Sequence, residues 1–200
     1  MSQIYCVIDC SGSMEDFTDR TISGFNEFIQ SSPKNAELSL LLFSDTVNIV
    51  YQNVQIKNVK PLTFKTYKPN GFTALLDGIG KAIELAKTYQ PTSWADDDKD
   101  VTILIMTDGQ ENSSKEYTKS QINASISRQK LSGWKFIFMG ANQDAIQTAS
   151  EFSIGQESSL TFGCENVGEA FRSASQAIKR SANGDNIEFT QLERTTSLQV

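Results

Sequence analysis

The chain has 200 residues, of which 38% are hydrophobic, and it carries a formal net charge of −6. This length and composition favour one well-buried core, and an acidic chain gives no reason to expect binding to nucleic acid or to an anionic membrane surface. No apolar stretch reaches the roughly 18 residues that a membrane-spanning helix requires.

In the first half of the chain, apolar runs that indicate strands alternate with segments of helical periodicity. The predicted elements are a strand at 4–8, a helix at 17–29, strands at 38–43 and 47–51, and a helix at 74–89. The segment 53–70 reads as irregular, with a short extended piece at 62–67. Because Ser44 and Asp45 are too few residues for a crossover, the strands on either side of them must form an antiparallel hairpin.

The second half continues the alternation after a polar loop at 91–100. It predicts strands at 101–106, 134–139 and 159–162 and helices at 117–131, 144–152 and 166–180. We expect one domain over residues 1–182 and a polar, extended tail over residues 183–200. This order of elements predicts the α/β class, with a doubly wound, Rossmann-like sheet, helices on both faces and right-handed crossovers.

The cysteines and the missing histidine limit the chemistry of the chain. Cys6 and Cys10 lie about 13 Å apart on an extended segment, which is too far for a disulfide. With Cys164 they form a sparse, odd set that is typical of a reducing compartment, and the N-terminus shows no secretory signal, so we expect a cytoplasmic protein. The absence of histidine excludes Ser-His-Asp and Cys-His catalysis and histidine-ligated zinc.

The loop directly after the first predicted strand carries the most informative motif. Asp9, Ser11 and Ser13 place one carboxylate and two hydroxyls at alternate positions where a buried strand ends. Gly12 frees the backbone between the two serines to bend, so that all three side chains can point to one place. Oxygen ligands of this kind suit a hard divalent cation, and we expect Mg²⁺ or Mn²⁺, with Ca²⁺ as a further candidate.

The motif D-x-S-x-S at a strand end is the signature of the metal-ion-dependent adhesion site (MIDAS) of von Willebrand factor A domains. The sequence resembles this family over about residues 4–180. Two further parts of the family site match in order: Thr73, ahead of a predicted helix, and Asp108, in Thr107-Asp108-Gly109 after a predicted strand. The resemblance implies a six-stranded sheet of order 3-2-1-4-5-6, with strand 3 antiparallel at the edge.

The resemblance also implies a role for each matched residue. Ser11, Ser13 and Thr73 would supply hydroxyl oxygens to the cation. Asp9 and Asp108 would bind it directly or through water. One coordination position would stay open for an Asp or Glu side chain of a protein partner. Stand-alone microbial or phage-like members of the family often work beside chaperone-like ATPases, and such a system is the partner that the resemblance suggests.

Each of these residues also has a simpler interpretation. The two serines and Thr73 could cap the helices that follow them, and Asp108 could belong to an ordinary turn. Two carboxylates at one sheet edge would, however, repel each other without a cation, so the full set favours a metal site. We further expect an acidic rim around the site, formed by Glu15, Asp16, Asp77 and Glu111. The polar residues after the fifth strand, which either reach this rim or cap a helix, are Asn142, Gln143 and Asp144.

The sequence therefore predicts a metal-dependent protein-interaction module and not an enzyme. A phosphotransferase of the haloacid dehalogenase type is an alternative, because Asp9 ends a first strand. Such enzymes need a second aspartate two residues on, where this chain has Ser11, and a lysine that we cannot locate. A domain that binds partners without metal is the other alternative.

Overall fold

The computed structural model describes residues 2–89, 100–141 and 145–199. Residues 91–99 of the predicted polar loop and the rim candidates Asn142, Gln143 and Asp144 lie outside the described residues. In the described segments, no helix combines the length and the apolar character needed to cross a membrane.

The strands form one sheet in the order β3-β2-β1-β4-β5-β6. They are β1 (Ser2–Asp9), β2 (Glu37–Phe43), β3 (Val47–Gln55), β4 (Asp100–Thr107), β5 (Lys135–Ala141) and β6 (Ser159–Phe162). β2 and β3 pair antiparallel, whereas the other neighbouring strands pair parallel. The predicted fold class, strand order and hairpin are therefore confirmed.

Six helices accompany the sheet in the described residues, and the last two follow its final strand. They are α1 (Thr18–Ser31), α2 (Leu75–Thr88), α3 (Lys119–Leu131), α4 (Ala145–Ser150), α5 (Val167–Ala182) and α6 (Gln191–Thr196). The first five lie within a few residues of the helices that the apolar periodicity predicts. A 3₁₀ turn over Gly12–Phe17 joins the loop after β1 to α1.

Each face of the sheet packs against its own layer of helices. Along β1, Ile4, Cys6 and Ile8 belong to the apolar cluster shared with α1 and α5. Tyr5 and Val7 belong to the cluster shared with α2 and α3. Successive side chains of a strand point to opposite faces, so a strand covered on both sides reads as one continuous apolar run.

The direction of winding reverses between β1 and β4, which are neighbours at the centre of the sheet. Ligands of doubly wound sheets bind beyond the carboxyl ends of the strands at such a reversal. The register pairs Ile8 with Met106. Asp9 and Thr107, the last residues of β1 and β4, therefore lie side by side at that edge.

The segment 62–67 is a turn and not the extended piece that its sequence suggests. The backbone N–H groups of Thr66 and Tyr67 both donate to the carbonyl oxygen of Thr63, at 2.9 Å. The amide of Asn26 holds the start of the turn, because it accepts from the N–H of Leu62 at 2.7 Å and donates to its carbonyl at 3.1 Å. The buried Leu62 and Tyr67 therefore anchor a turn at its two ends and do not belong to a strand.

The expectation of an extended tail is wrong for the described part of residues 183–200. α6 begins with a capping box in which Thr190 and Glu193 exchange side-chain and backbone hydrogen bonds. Glu193 also pairs with Arg180 of α5 at 2.8 Å. The guanidinium of Arg194 donates to the carbonyl of Ser159 at 2.7 Å. These contacts could not be predicted from the polar composition of the segment, because they are hydrogen bonds and an ion pair rather than apolar contacts.

Candidate functional site

The first site residue, Asp9, is fully buried at the end of β1. Its Oδ1 accepts from the backbone N–H of Ser11 at 2.8 Å, and its Oδ2 accepts from the hydroxyl of Thr107 at 2.6 Å. These two bonds tie the loop after β1 to the end of β4. Within the loop after β1, Ser11 is buried, whereas Ser13 is exposed.

A chain of hydrogen bonds continues from this loop to the loop after β4. The hydroxyl oxygens of Ser11 and Ser13 are 3.1 Å apart. Ser13 Oγ donates to Asp108 Oδ1 at 2.7 Å. Four of the predicted site residues are therefore linked, one to the next, by hydrogen bonds.

Thr73 reaches the same place from a third loop. An atom placed at the Cβ position of Gly109 would lie 3.3 Å from Thr73 Oγ1 and 3.7 Å from Ser13 Oγ. Thr73 is not the N-cap of α2, because Ala74 holds that position and its side chain makes no capping hydrogen bond. The structure thus brings all the predicted site residues together, and the space that they face is kept open because residue 109 is a glycine.

The electrostatics of the site favour a bound cation. The pKa of Asp9 is raised to about 6, mainly by burial; hydrogen bonds from Thr107 and Ser11 oppose this rise, and the charge of Asp108 adds a smaller contribution to it. Burial also raises the pKa of Asp108, although the hydrogen bond from Ser13 opposes this. The ion pairs found among the described residues include neither carboxylate. A positive charge would offset both the repulsion and the lost hydration.

The donor set fits a hard divalent cation. It consists of two carboxylates and three hydroxyls, and oxygen ligands are those that Mg²⁺, Mn²⁺ and Ca²⁺ take. Cys10 lies between the ligands, but burial raises the pKa of its thiol to about 11, so it stays neutral and is a poor metal ligand. The described residues hold no cluster of three or more His, Cys, Asp or Glu side chains suited to a metal.

Three residues outside the predicted ligand set hold the site together. Thr107 bonds to Asp9 as described above. The hydroxyl of Tyr67 donates to the backbone carbonyl of Asp9 at 2.7 Å. Asn112 and Thr73 form a reciprocal pair, in which the N–H of Thr73 donates to Asn112 Oδ1 at 2.8 Å and the N–H of Asn112 donates to the carbonyl of Thr73 at 3.1 Å. Their long sequence separation from these partners left no local signal.

The acidic rim is smaller than the sequence suggests. Glu15 and Asp16 are exposed. Asp77 is buried and accepts backbone N–H groups from three successive residues of the loop at 115–117. Glu111 accepts the N–H of Leu76 at 3.0 Å, at the start of α2. The last two carboxylates therefore anchor the loop after β4 and do not line an open rim.

The reciprocal pair leads to a prediction about Asn112. We expect Asn112→Ala to weaken Mn²⁺ binding about tenfold, because Thr73 loses the acceptor that fixes its backbone. Asn112→Asp retains an oxygen at that position and should bind Mn²⁺ at least as tightly as the wild type. Calorimetric titration of the two variants, with thermal unfolding in EDTA as the check on folding, makes the comparison. An Asn112→Ala variant with wild-type affinity would show that Asn112 does not position Thr73.

Comparison with known families gives one match over most of the chain. A model described as von Willebrand factor type A domain matches residues 3–177. A comparison with curated protein sequences finds no match.

Solved structures share the fold at low sequence identity. The vWF domain of the type V pili tip protein Mfa5 from Porphyromonas gingivalis is 12% identical with a TM-score of 0.68, over 90% of this chain and 95% of that one. Proximal thread matrix protein 1 from the mussel byssus, with a zinc-occupied MIDAS motif, is 15% identical with a TM-score of 0.62, over 88% of this chain and 45% of that one. The ArnB paralog VWA2 from Sulfolobus acidocaldarius is 18% identical with a TM-score of 0.58, over 88% and 44%. The chain thus spans less than half of the mussel and Sulfolobus chains.

Proposed function

Because the chain belongs to the von Willebrand factor type A domain family, whose model matches residues 3–177, we propose that it is a metal-dependent protein-interaction module. The observation that carries this proposal is the meeting of oxygen side chains from three loops at the reversal of the sheet. Asp9, Ser11, Ser13, Thr73 and Asp108 would hold one divalent cation there.

The five proposed ligands differ in how deeply they are buried. Asp9, Ser11 and Thr73 are buried and form the floor of the site, whereas Ser13 and Asp108 lie toward solvent. Mg²⁺ requires six oxygen ligands, and the five side chains supply at most five. When bound, the cation would supply a Lewis acid whose remaining position accepts a carboxylate oxygen of a protein partner. The zinc-occupied MIDAS motif of the mussel protein supports the binding of a divalent cation by this fold.

The surroundings of the site suit a macromolecular partner better than a small substrate. A neighbouring cavity of about 410 Å³ is lined by Gln110, Glu111 and residues of α2 to α4, and none of the proposed metal ligands lines it. Both carboxylate oxygens of the buried Asp9 accept hydrogen bonds, which does not suit the exposed nucleophile of a phosphotransferase. The structural neighbour from the pili tip protein Mfa5 supports a role in adhesion or assembly. A chaperone-like ATPase system is the other partner that we propose.

The proposal predicts capture of a single carboxylate that depends on metal. We expect the peptide acetyl-Gly-Ser-Glu-Ser-Gly-amide to shift NMR signals of Gly12, Thr73 and Gly109 in Mg²⁺, and to lose this effect in EDTA. The same peptide with Gln in place of Glu should bind at least tenfold more weakly, because an amide is a poorer ligand for a hard cation. Thr73→Ala should lose binding while remaining folded.

Two results would contradict this function. Absence of peptide binding to the wild type in Mg²⁺ would reject carboxylate capture. Equal binding in Mg²⁺ and EDTA would favour the metal-free domain instead.

The natural partner can be identified by pull-downs with the wild type and Thr73→Ala, each in Mg²⁺ and in EDTA. It is expected to be a protein that requires both the metal and the threonine.

A further inference from the structure

Phe72, which directly precedes Thr73, exposes 65% of its surface. Thr73 itself is 4% exposed, so the chain passes from an open aromatic side chain to a buried site residue in one step. The other large hydrophobic residues found exposed in the described segments are Phe64, Leu131, Leu192 and Leu198. None of these four adjoins a proposed metal ligand in the sequence.

The backbone around Phe72 is fixed on both sides. The N–H of Phe72 donates to Asp45 Oδ1 at 3.3 Å, and the carbonyl of Gly71 accepts from the N–H of Gly12 at 3.0 Å. Gly71 has a φ of +75°, and a Cβ there would lie 1.9 Å from Asp45 Oδ2, so the turn requires glycine. On the other side, the N–H of Thr73 is held by Asn112. The aromatic ring is therefore presented to solvent by a rigid turn and not by a loose loop.

We propose that Phe72 is the apolar half of the partner-binding surface, and that it contacts an apolar side chain close to the captured acidic residue. The Cα atoms of consecutive residues are about 3.8 Å apart, so a carboxylate at Thr73 brings its neighbours within reach of the ring. In an extended segment, residues one or two positions away lie about 3.3 to 7 Å along the chain. A rigid aromatic side chain loses little conformational entropy on binding, which is why such residues dominate interface energetics.

The charges nearby narrow the choice of partner segment. Asp45, which bonds to the backbone of Phe72, is exposed, as are Glu15 and Asp16. The cation would have one open position and would bind one carboxylate there, but further acidic residues in the partner would face these side chains and be repelled. The surface therefore fits a segment with a single Glu or Asp flanked by apolar residues, rather than a polyacidic segment. This specificity rests on the proposed function, because the captured carboxylate sets the position of its neighbours.

The test compares acetyl-Gly-Leu-Glu-Leu-Gly-amide with the serine-flanked peptide introduced above, by NMR titration in Mg²⁺. The wild type should bind the leucine-flanked peptide about tenfold more tightly than the serine-flanked one. Phe72→Ala should abolish this difference without changing Mg²⁺ affinity or thermal stability. Phe64→Ala is the matched control, because Phe64 is 61% exposed on the same connection between β3 and α2. It should retain the wild-type preference for leucine.

The outcomes separate this inference from the proposed function. Metal-dependent binding of both peptides with equal affinity, or a leucine preference that survives in Phe72→Ala, would overturn the role of Phe72 and leave carboxylate capture intact. If the wild type kept its leucine preference in EDTA and Phe72→Ala lost it, the result would support the apolar contact and contradict capture by metal. Absence of binding of either peptide to the wild type would overturn both.

Discussion

The Asp9→Asn variant is expected to lose divalent-cation binding and, without metal at neutral pH, to be more stable than the wild type. The physical reason is the buried carboxylate at the end of β1, whose pKa burial raises from 3.8 to about 6. This difference corresponds to a penalty of up to about 3 kcal/mol for keeping Asp9 ionised in the folded protein. An amide in its place carries no charge and avoids the penalty.

The sign of the pH dependence follows from the same pKa. Below about pH 4, Asp9 is protonated in both the folded and the unfolded states, and it contributes nothing to pH dependence. Between about pH 4 and pH 6 the folded state binds more protons, so the stability of the metal-free wild type falls as the pH rises. The full loss is present above about pH 6. In Asp9→Asn this part of the pH dependence should be missing.

The hydrogen bonds around Asp9 can accept the amide. In Asp9→Asn, the amide oxygen of the new side chain would still accept from the N–H of Ser11. Its NH₂ group would donate to Thr107 Oγ1, whose own proton can turn to the carbonyl of Gly109, 3.1 Å away. An alanine would instead leave the N–H of Ser11 without its acceptor and open a cavity, so asparagine is the informative substitution.

Urea unfolding in EDTA, at about pH 5 and pH 7.5, measures the expected difference between Asp9→Asn and the wild type. Asp16→Asn serves as the control, because it removes an exposed carboxylate close to the same loop and should change neither stability nor metal binding. If Asp9→Asn were less stable than the wild type at both pH values, the carboxylate would be a structural hydrogen-bonding group rather than a destabilising charge.

The six strands and the first five helices could be predicted from the sequence because each carries its own local apolar pattern. The run at 38–43 is apolar except for Ser39 since β2 is covered on both faces, and the short link to β3 leaves a hairpin as the one connection. Asp9, Ser11 and Ser13 could be predicted from their spacing at a strand end, whereas Thr73 and Asp108 were matched through the resemblance to the von Willebrand factor A family. Asp9 ends β1 and Asp108 follows β4, which are adjacent in a doubly wound sheet, so the spatial meeting of the two carboxylates is a consequence of topology.

The supporting contacts could not be predicted, because they join residues far apart in the sequence through single hydrogen bonds. Tyr67 reaches the carbonyl of Asp9 across 58 positions, and Thr73 pairs with Asn112 across 39. The sequence predicts Asp77 at an acidic rim, yet its carboxylate is buried and accepts hydrogen bonds from the backbone of a loop. The sequence pattern thus reports which side chains carry the chemistry more readily than which side chains hold them in place.

Addition of a divalent cation is expected to stabilise the wild type strongly. Binding to the folded state alone at a hundredfold excess over the dissociation constant raises the free energy of unfolding by about 2.7 kcal/mol. Mn²⁺ should bind more tightly than Mg²⁺ to the same oxygen ligands, in accordance with the usual affinity order. Thermal unfolding with increasing concentrations of each ion, against matched ionic strength from KCl, measures the effect and separates it from salt screening.

The affinity of the site for the cation should fall in acid because Asp9 becomes protonated. The same protonation makes the metal-free protein more stable in acid. With a pKa of about 6, Asp9 in the metal-free protein is largely protonated at about pH 5, and a cation must then displace that proton. We expect the dissociation constant for Mn²⁺ to rise about tenfold for each unit of pH below that pKa. Calorimetry at several pH values should also show proton release on binding below about pH 6 and little above it. A dissociation constant that stays the same from about pH 5 to pH 7 would mean that the ion does not bind at the buried carboxylate, whatever its effect on stability.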